Sequence, residues 1–333
     1  MSMSTDNSRT VKTISRIVYI LAFLAFLILA FIFSKYDLQI SLAVYNPNSV
    51  IWNTFEIFGE TPAIFIAVFS LNVLLIDKIY LVKSNRNKKI NQANTNLLSI
   101  KRKVLIFIFC AFYIIISIGA FVYVFDTMHK YAYGYGMNKT VTFLLSILLE
   151  SVFYYTTSLF MRHKFGLQIG NKHIGEFTVT PSYSKFIDNC RIVALTCVLT
   201  LLVVFIMKIF WGRIRFRNLM KDNSDFTPFY LPNGLISAFP TLWDTNTSFP
   251  SGHVANAACV YSLYIFCDKP RNRLFVRILL IIWILIIAIS RVYNGAHYAS
   301  DVLFGLAITL MLFHLSSHVI KKRSGRVNTQ IKM

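Results

Sequence analysis

Long apolar runs are the feature of this sequence that most restricts its fold. A helix that crosses a bilayer needs about 20 predominantly apolar residues. We find eight runs near that length, at residues 15–33, 62–82, 104–125, 141–160, 190–207, 254–267, 275–289 and 300–318. The sixth and seventh runs are short and are expected to extend into their flanks. The pattern predicts an all-α, polytopic transmembrane helix bundle with about eight spans.

The composition supports a membrane protein and argues against a nucleic-acid-binding one. Of the 333 residues, 56% are hydrophobic and only 14% are charged, which is too apolar for an ordinary soluble domain. A net charge of +20 could indicate nucleic acid binding. However, the basic residues lie between apolar runs, where membrane topology explains them. We therefore expect the partner to be the lipid bilayer and not a nucleic acid.

The orientation in the membrane is predicted from Lys and Arg in the connecting segments. Basic residues are concentrated in alternate connections, at residues 83–103, 162–191 and 269–277, and in both terminal tails. Such segments remain on the cytoplasmic side of a membrane. We therefore expect both termini to be cytoplasmic. Residues 1–333 would form a single integral domain of a bacterial plasma membrane.

Three polar stretches follow or precede apolar runs in the second half of the chain. They are Lys208-Ile-Phe-Trp-Gly-Arg-Ile-Arg215, Pro250-Ser-Gly-His253 and Ser290-Arg-Val-Tyr-Asn-Gly-Ala-His-Tyr-Ala-Ser-Asp301. In the first, Lys208 and Arg215 would share one face if the helix continued, because seven residues make about two turns. Two fixed cations can clamp a phosphate dianion. The alternative is that both cations reach outward from a membrane end.

The second stretch is typical of a helix start that binds an anion. Ser251 can cap the helix, and Gly252 lets a ligand approach the backbone closely. The free N–H groups of a helix start bind anions readily, and His253 would stand beside such an anion. The alternative is a capping sequence with an incidental histidine.

The third stretch combines a cation, an imidazole and a carboxylate. His297 and Asp301 are four residues apart, so on a helix they would lie on one face. A carboxylate bonded to one ring nitrogen leaves the other nitrogen available for attack, and Arg291 adds a positive charge. The alternatives are an aspartate at a helix start with a chance histidine, and a metal site. Metal binding is disfavoured because Lys208, Arg215 and Arg291 would surround the ion with positive charge.

Together the three stretches resemble the type 2 phosphatidic acid phosphatase superfamily of membrane lipid phosphatases. Its pattern is Lys-x6-Arg-Pro, then Pro-Ser-Gly-His, then Ser-Arg-x5-His-x3-Asp. This chain departs from the pattern once, at Phe216, where the family usually has proline. Residues 190–318 carry the resemblance and would form the catalytic half. Family members commonly have six spans, so eight imply an added pair before Lys208.

The resemblance implies a role for each matching residue and no metal cofactor. His297 would be the nucleophile that forms a phosphohistidine, Asp301 would orient it, and His253 would protonate the departing oxygen. The phosphoryl oxygens would be held by Lys208, Arg215, Ser251, Gly252 and Arg291. The expected activity is the hydrolysis of a membrane lipid phosphate or diphosphate at the outer face.

Two other functions remain open from the sequence. A phosphotransferase would use the same chemistry but pass the phosphoryl group to an alcohol. A non-catalytic lipid-binding or transport protein could keep the fold without the reaction. Glu150 is the best feature for transport, because a carboxylate in the middle of a span is costly and often functional. A neutral Glu150 bonded to a neighbouring helix is the alternative. The oligomeric state is not predicted.

Overall fold

The chain is mostly helical in the residues that its structure describes, and no strand occurs among them. The computed structural model describes residues 3–88, 139–165, 181–222, 225–232 and 247–331, with short stretches between residues 104 and 129. Within these ranges the helices are α1 (Met3–Val44), α2 (Val50–Phe58), α3 (Thr61–Lys88), α4 (Lys139–Phe165), α5 (Pro181–Trp211), α6 (Phe216–Asp222), α7 (Gly252–Cys259), a 3₁₀ helix (Val260–Phe266), α8 (Pro270–Tyr293) and α9 (Ala299–Ile331). The predicted all-α class is confirmed.

Among the described residues, five helical segments are long and apolar enough to cross a membrane. They are Ile17–Val44, Val50–Lys78, Ser182–Lys221, Pro270–Tyr293 and Ala299–Ser324. These correspond to the first, second, fifth, seventh and eighth predicted spans. The predicted third span, 104–125, lies largely outside the described residues. The fourth coincides with α4, of which Lys139–Leu149 is the apolar portion. The count of eight stays a prediction.

The sixth predicted span is a composite of two helix types. The α7 helix contributes eight residues and the 3₁₀ helix seven. A 3₁₀ helix rises about 2.0 Å per residue and an α-helix about 1.5 Å. The combined segment is therefore roughly 26 Å long, which approaches the roughly 30 Å hydrocarbon core of a bilayer. Its short sequence is partly offset by its steeper rise.

The first helix extends well beyond the apolar run that predicted it. α1 continues through Lys35, Asp37 and Gln39 to Val44. No proline or glycine interrupts it before Pro47, and Asp37 is buried, with only 2% of its surface exposed. Residues 36–60 do not form one continuous helix. Instead, their first part belongs to α1 and only α2 is a separate short helix.

The helices group into two compact units, each built from separate parts of the chain. The first unit consists of Met1–Asn53, Leu201–Ala255 and Ile286–Thr309, and it holds all three polar stretches. The segments that contribute these stretches are therefore packed together, although they are far apart in sequence. The N-terminal helix α1 belongs to this unit as well.

The second unit consists of Thr54–Thr200, Asn256–Leu285 and Leu310–Met333. Its core includes the buried side chains of Val73, Tyr183, Ile187 and Cys190. The Tyr183 hydroxyl donates a hydrogen bond of 2.9 Å to Oδ1 of Asp77, which satisfies a buried carboxylate oxygen. Glu150 lies on α4 in this unit, but its side chain is outside the described residues.

Candidate active site

The first polar stretch begins in the last turn of α5. Lys208 lies in that turn, and the helix ends at Trp211. Gly212 follows with a φ of 57°, a conformation that favours glycine. The helix therefore does not continue to Arg215, and the expectation that Lys208 and Arg215 share a helix face is wrong.

Thr247 joins the two cations instead. The ammonium group of Lys208 donates to the Thr247 main-chain carbonyl at 2.5 Å. Nη2 of Arg215 donates to the Thr247 hydroxyl at 3.1 Å. The predicted pair is thus brought together by a third residue just before the second stretch. Nothing in the pattern of charges pointed to Thr247.

The second polar stretch starts α7 as its sequence predicts. Ser251 is fully buried and precedes the first helical residue, Gly252. Its hydroxyl accepts a hydrogen bond from the Val254 N–H at 3.4 Å, and its carbonyl accepts from the Ala255 N–H at 3.0 Å. Ser251 is therefore the N-cap of α7. A Cβ placed on Gly252 would stand 3.5 Å from Cε of Lys208, so the Lys208 side chain runs along this helix start.

The third polar stretch is a turn between α8 and α9. α8 ends at Tyr293, and Gly295 takes a φ of 62°. The carbonyl of Arg291 accepts hydrogen bonds from the N–H groups of Ala296 and His297, at 3.1 and 3.2 Å. His297 therefore lies in the turn and not on a helix. Asp301 lies in the first turn of α9, so the predicted common helix face of these two residues is not formed.

The imidazole of His297 is oriented by a main-chain carbonyl. Its Nδ1 lies 2.6 Å from the carbonyl oxygen of Ser248. The nearer carboxylate oxygen of Asp301 is 3.8 Å from Nδ1, beyond hydrogen-bond distance. Because a carbonyl oxygen can only accept, Nδ1 carries the ring proton and Nε2 keeps its lone pair.

Asp301 instead organises the residues around the imidazole. Its Oδ2 accepts hydrogen bonds from the Ser248 hydroxyl at 2.5 Å and from the Tyr298 N–H at 2.9 Å. Its Oδ1 accepts from Nη1 of Arg213 at 2.5 Å. Its main-chain carbonyl accepts from the Ser251 N–H at 3.0 Å, which ties the second stretch to the third.

The network extends to Asp37, which accepts a hydrogen bond from Nη2 of Arg213 at 3.0 Å. The residues Asp37, Arg213, Thr247 and Ser248 take part in it but were not singled out as site residues from the sequence. Arg213 lies inside the first stretch, two positions before Arg215, and nothing in the sequence marks it as a member of the network. Asp37 carried the clearest signal, because it is the single acidic residue between positions 17 and 44, in an otherwise apolar helix. An acid in such a helix is costly and is often functional.

The site is buried and electropositive, and both features lower the pKa of its two histidines. Burial lowers the pKa of His253 well below its usual range, and Arg291, His297, Lys208 and Arg215 lower it further. Burial also lowers the pKa of His297 to about 3, with Arg291 and Lys208 acting in the same direction against the opposing effect of Asp301. Lys208 and Arg291 therefore act on both histidines, and Arg215 acts on His253. Such surroundings suit an oxyanion.

No group of three or more His, Cys, Asp or Glu side chains in the described ranges could hold a metal ion. The Asp301 carboxylate is already engaged by Arg213, Ser248 and Tyr298. A cation placed there would have to displace the guanidinium of Arg213.

Comparison with known proteins identifies the region that carries the site. Residues 190–324 match the model of the PAP2 superfamily. A phosphatidylglycerophosphatase B of Bacillus subtilis (strain 168) is 38% identical over 82 residues, which cover 23% of this chain and 40% of that relative. The chain thus spans less than half the length of the curated relative it matches. No solved structure matches it. The matched region includes all three polar stretches, so the part of the chain that carries the site is similar to the PAP2 superfamily.

Proposed function

We propose that this chain is a metal-independent lipid phosphate or diphosphate phosphatase that works through a phosphohistidine intermediate. The observation that carries the proposal is the protonation state of the His297 imidazole. Its Nδ1 proton is held by the Ser248 carbonyl, and its lowered pKa keeps Nε2 unprotonated at neutral pH. An imidazole in that state is a nucleophile, and the cations around it would hold a phosphoryl group against it.

In the first step, the lone pair of Nε2 attacks phosphorus. A bond forms between Nε2 and phosphorus as the bond from phosphorus to the lipid oxygen breaks. The bound phosphate dianion would raise the pKa of His253, so that His253 carries a proton in the substrate complex and gives it to that departing oxygen. Lys208, Arg215, Arg291 and the N–H groups at the start of α7 would stabilise the charge on the phosphoryl oxygens.

In the second step, water attacks the phosphohistidine. His253 takes a proton from the water, the bond between Nε2 and phosphorus breaks, and inorganic phosphate leaves. His297 returns to its starting neutral state, and His253 regains the proton it gave up. The protein residues are therefore unchanged over one turnover, and water is the only co-reactant.

The membrane setting favours a lipid substrate. The long apolar helices indicate an integral membrane protein. The apolar runs support eight spans, and the loop cations support cytoplasmic termini with the three polar stretches outside. A site at the outer surface could take a phosphate headgroup whose hydrocarbon tail stays in the bilayer. Because the matched relative is a bacterial phosphatidylglycerophosphatase, phosphatidylglycerol phosphate is the first substrate to test.

The test is phosphate release by the purified protein from phosphatidylglycerol phosphate, phosphatidic acid and undecaprenyl diphosphate. We expect release from at least one of them, unchanged by a chelator and inhibited by vanadate. His297→Ala should abolish it, whereas Asp301→Asn should leave a residual rate because the Ser248 carbonyl still orients the imidazole. Equal release by the wild type and His297→Ala would reject the mechanism. Added glycerol that diverts phosphate from water would indicate a phosphotransferase.

A further inference from the structure

Arg213 is buried deeply enough that its charge needs fixed partners. Only 1% of its side chain is exposed. Every nitrogen of its guanidinium is engaged. Nε donates to the Thr227 carbonyl at 2.9 Å, Nη1 donates to Ser300 and Asp301, and Nη2 donates to Asp37. Its positive charge therefore lies between two carboxylates and is not available to a phosphate. A buried charge left without such partners would be strongly destabilising.

Asp37 is the partner that α1 supplies. Its Oδ2 accepts from Nη2 of Arg213 at 3.0 Å and from the Ser300 hydroxyl. Its Oδ1 accepts from the Ser300 N–H at 2.9 Å. One carboxylate thus fixes Arg213 and the first turn of α9 at the same time. Ser300 immediately precedes Asp301, so the position of Ser300 determines the main-chain position from which the Asp301 side chain extends.

The end of α1 and the residues after it also contact the turn that carries His297. A Cβ on Gly295 would lie 2.6 Å from Cε2 of Tyr45, so the ring lies directly on that turn. The Asn46 N–H donates to the Tyr293 carbonyl at 2.8 Å. The Asn294 side chain donates to the Trp52 carbonyl at 3.2 Å. The contact of Asp37 is therefore one of several that join this segment to the site.

We propose that Asp37 is a positioning residue of the active site and that α1, which lies outside the region matched by the family model, is part of the catalytic unit. The inference rests on the proposed phosphatase function. Asp37 acts through a chain of contacts. It holds Arg213, Arg213 holds Oδ1 of Asp301, and Oδ2 of Asp301 holds the hydroxyl of Ser248. The Ser248 carbonyl then orients His297.

The competing explanation is that Asp37 only anchors α1. An anchor would affect the stability of the protein and the amount that folds. It would not affect the turnover of the folded fraction. A positioning residue would lower kcat and leave KM nearly unchanged, because Lys208, Arg215 and Arg291 still bind the phosphate. The two explanations therefore differ in kinetic readout.

The first variant is Asp37→Asn, which keeps the size of the side chain and removes its charge. We expect kcat on phosphatidylglycerol phosphate to fall by on the order of 10–100-fold, as when a group that orients a reacting ligand is lost. KM should stay within about twofold. Ser300→Ala removes only the hydroxyl shared by Asp37 and Arg213, and should lower kcat by about threefold to tenfold.

The matched control is Ser41→Ala. Ser41 is one turn from Asp37 on the same face of α1 and is fully buried, but its hydroxyl has no hydrogen-bond partner within the described part of the chain. This variant perturbs the same helix without touching the network. We expect wild-type kcat. The melting temperature and the size-exclusion profile of each variant report the folded fraction separately.

A double-mutant cycle with Arg213→Gln tests the route of the effect. If Asp37 acts through Arg213, adding Asp37→Asn to Arg213→Gln should cost less than about twofold in kcat. An equal loss in both backgrounds, or full kcat in Asp37→Asn, would overturn the positioning role. If Asp37→Asn is not recovered as a monodisperse protein, full kcat in Ser300→Ala would overturn that role in its place. Equal phosphate release by the wild type and His297→Ala would instead overturn the proposed function, and the positioning role with it.

Discussion

At the residue scale, the protonation state of the two histidines sets the chemistry that the site can perform. Both have lowered pKa values because they are buried among positive charges. A low pKa suits the proposed role of His297, since a nucleophile must be neutral. It is unfavourable for the proposed role of His253, since a general acid must carry a proton. A bound phosphate dianion between the cations would reverse that effect by raising the pKa of His253.

The pH dependence of turnover should show this reversal. kcat/KM reports the free enzyme and kcat reports the substrate complex. With an alkyl phosphate, kcat/KM should therefore fall with rising pH from below the ordinary histidine pKa of about 6.5, and kcat should fall only at higher pH. The measurement is a pH profile of both constants.

Nitrophenyl phosphate is the control substrate, because its leaving group needs no proton. His253→Ala should lower kcat far less on nitrophenyl phosphate than on the alkyl phosphate. Equal losses on the two substrates would mean that His253 only positions the phosphate.

The two arginines that are proposed to hold the phosphate give a second prediction at the residue scale. Arg215 and Arg291 should each meet phosphoryl oxygens through a planar fork, which lysine cannot reproduce. Arg215→Lys and Arg291→Lys keep the charge, yet each should lower kcat/KM by on the order of 10²–10³-fold, as when one oxyanion donor is removed. Phosphate release from the best lipid substrate measures the effect. Arg271→Lys, at an exposed position at the start of α8, is the matched control and should be silent.

Near-normal turnover in both variants would remove these two arginines from the site.

The contrast between Arg213 and Arg215 shows what could not be predicted from the sequence at the residue scale. Arg213 and Arg215 are two positions apart in the same stretch, but one is enclosed by carboxylates and the other reaches the loop at Thr247. The direction in which each side chain points after the end of α5 decides which of the two arginines meets the carboxylates and which meets Thr247. That direction depends on Gly212 and on contacts with distant parts of the chain.

At the element scale, the close approach of α9 to the start of α7 holds the second and third stretches together. A Cβ on Gly305 would lie 2.6 Å from the carbonyl oxygen of Ser251, a contact with rigid backbone. Gly305→Ala should therefore push α9 away from the N-cap of α7. We expect a loss of about 1–3 kcal/mol of stability, typical of overpacking, together with a lower kcat. Thermal unfolding and phosphate release measure the two effects.

Gly119→Ala is the control for that variant. Gly119 is also helical, and a Cβ there would have no heavy atom within 4 Å. Because alanine favours a helix over glycine by about 1 kcal/mol, this substitution should leave stability unchanged or slightly raised. Similar behaviour of the two variants would show that the contact at Gly305 is not close in solution.

The limits of the helices were only partly predictable. Apolar runs located five spanning segments because lipid demands length and hydrophobicity. They did not predict that α1 would continue to Val44, since its extension depends on the burial of Asp37 against Arg213. They also did not predict the 3₁₀ helix after α7, whose residues are as apolar as those of an ordinary span. Tertiary contacts decide both features.

At the scale of the whole molecule, segments that are far apart along the chain pack together in the first compact unit. The three stretches were expected to form one site because they match a family pattern, and the first unit does contain them all. The same unit includes α1, which no motif marked. A motif identifies residues whose side chains are expected to act directly on the substrate. Asp37 contributes through its place in a network, which becomes visible only when the helices are packed.

The topology gives the last prediction. The loop cations predict that the start of α8 lies inside the cell and that the segment after α6 lies outside. Arg271 and Asp225 are exposed residues in these two places. Arg271→Cys and Asp225→Cys can be made in a protein that lacks its five native cysteines and treated on intact cells with a membrane-impermeant maleimide. Asp225→Cys should be labelled, and Arg271→Cys should be labelled only after permeabilisation. Labelling in the reverse pattern would move the active site to the cytoplasmic leaflet, where the lipid phosphates available to it are different.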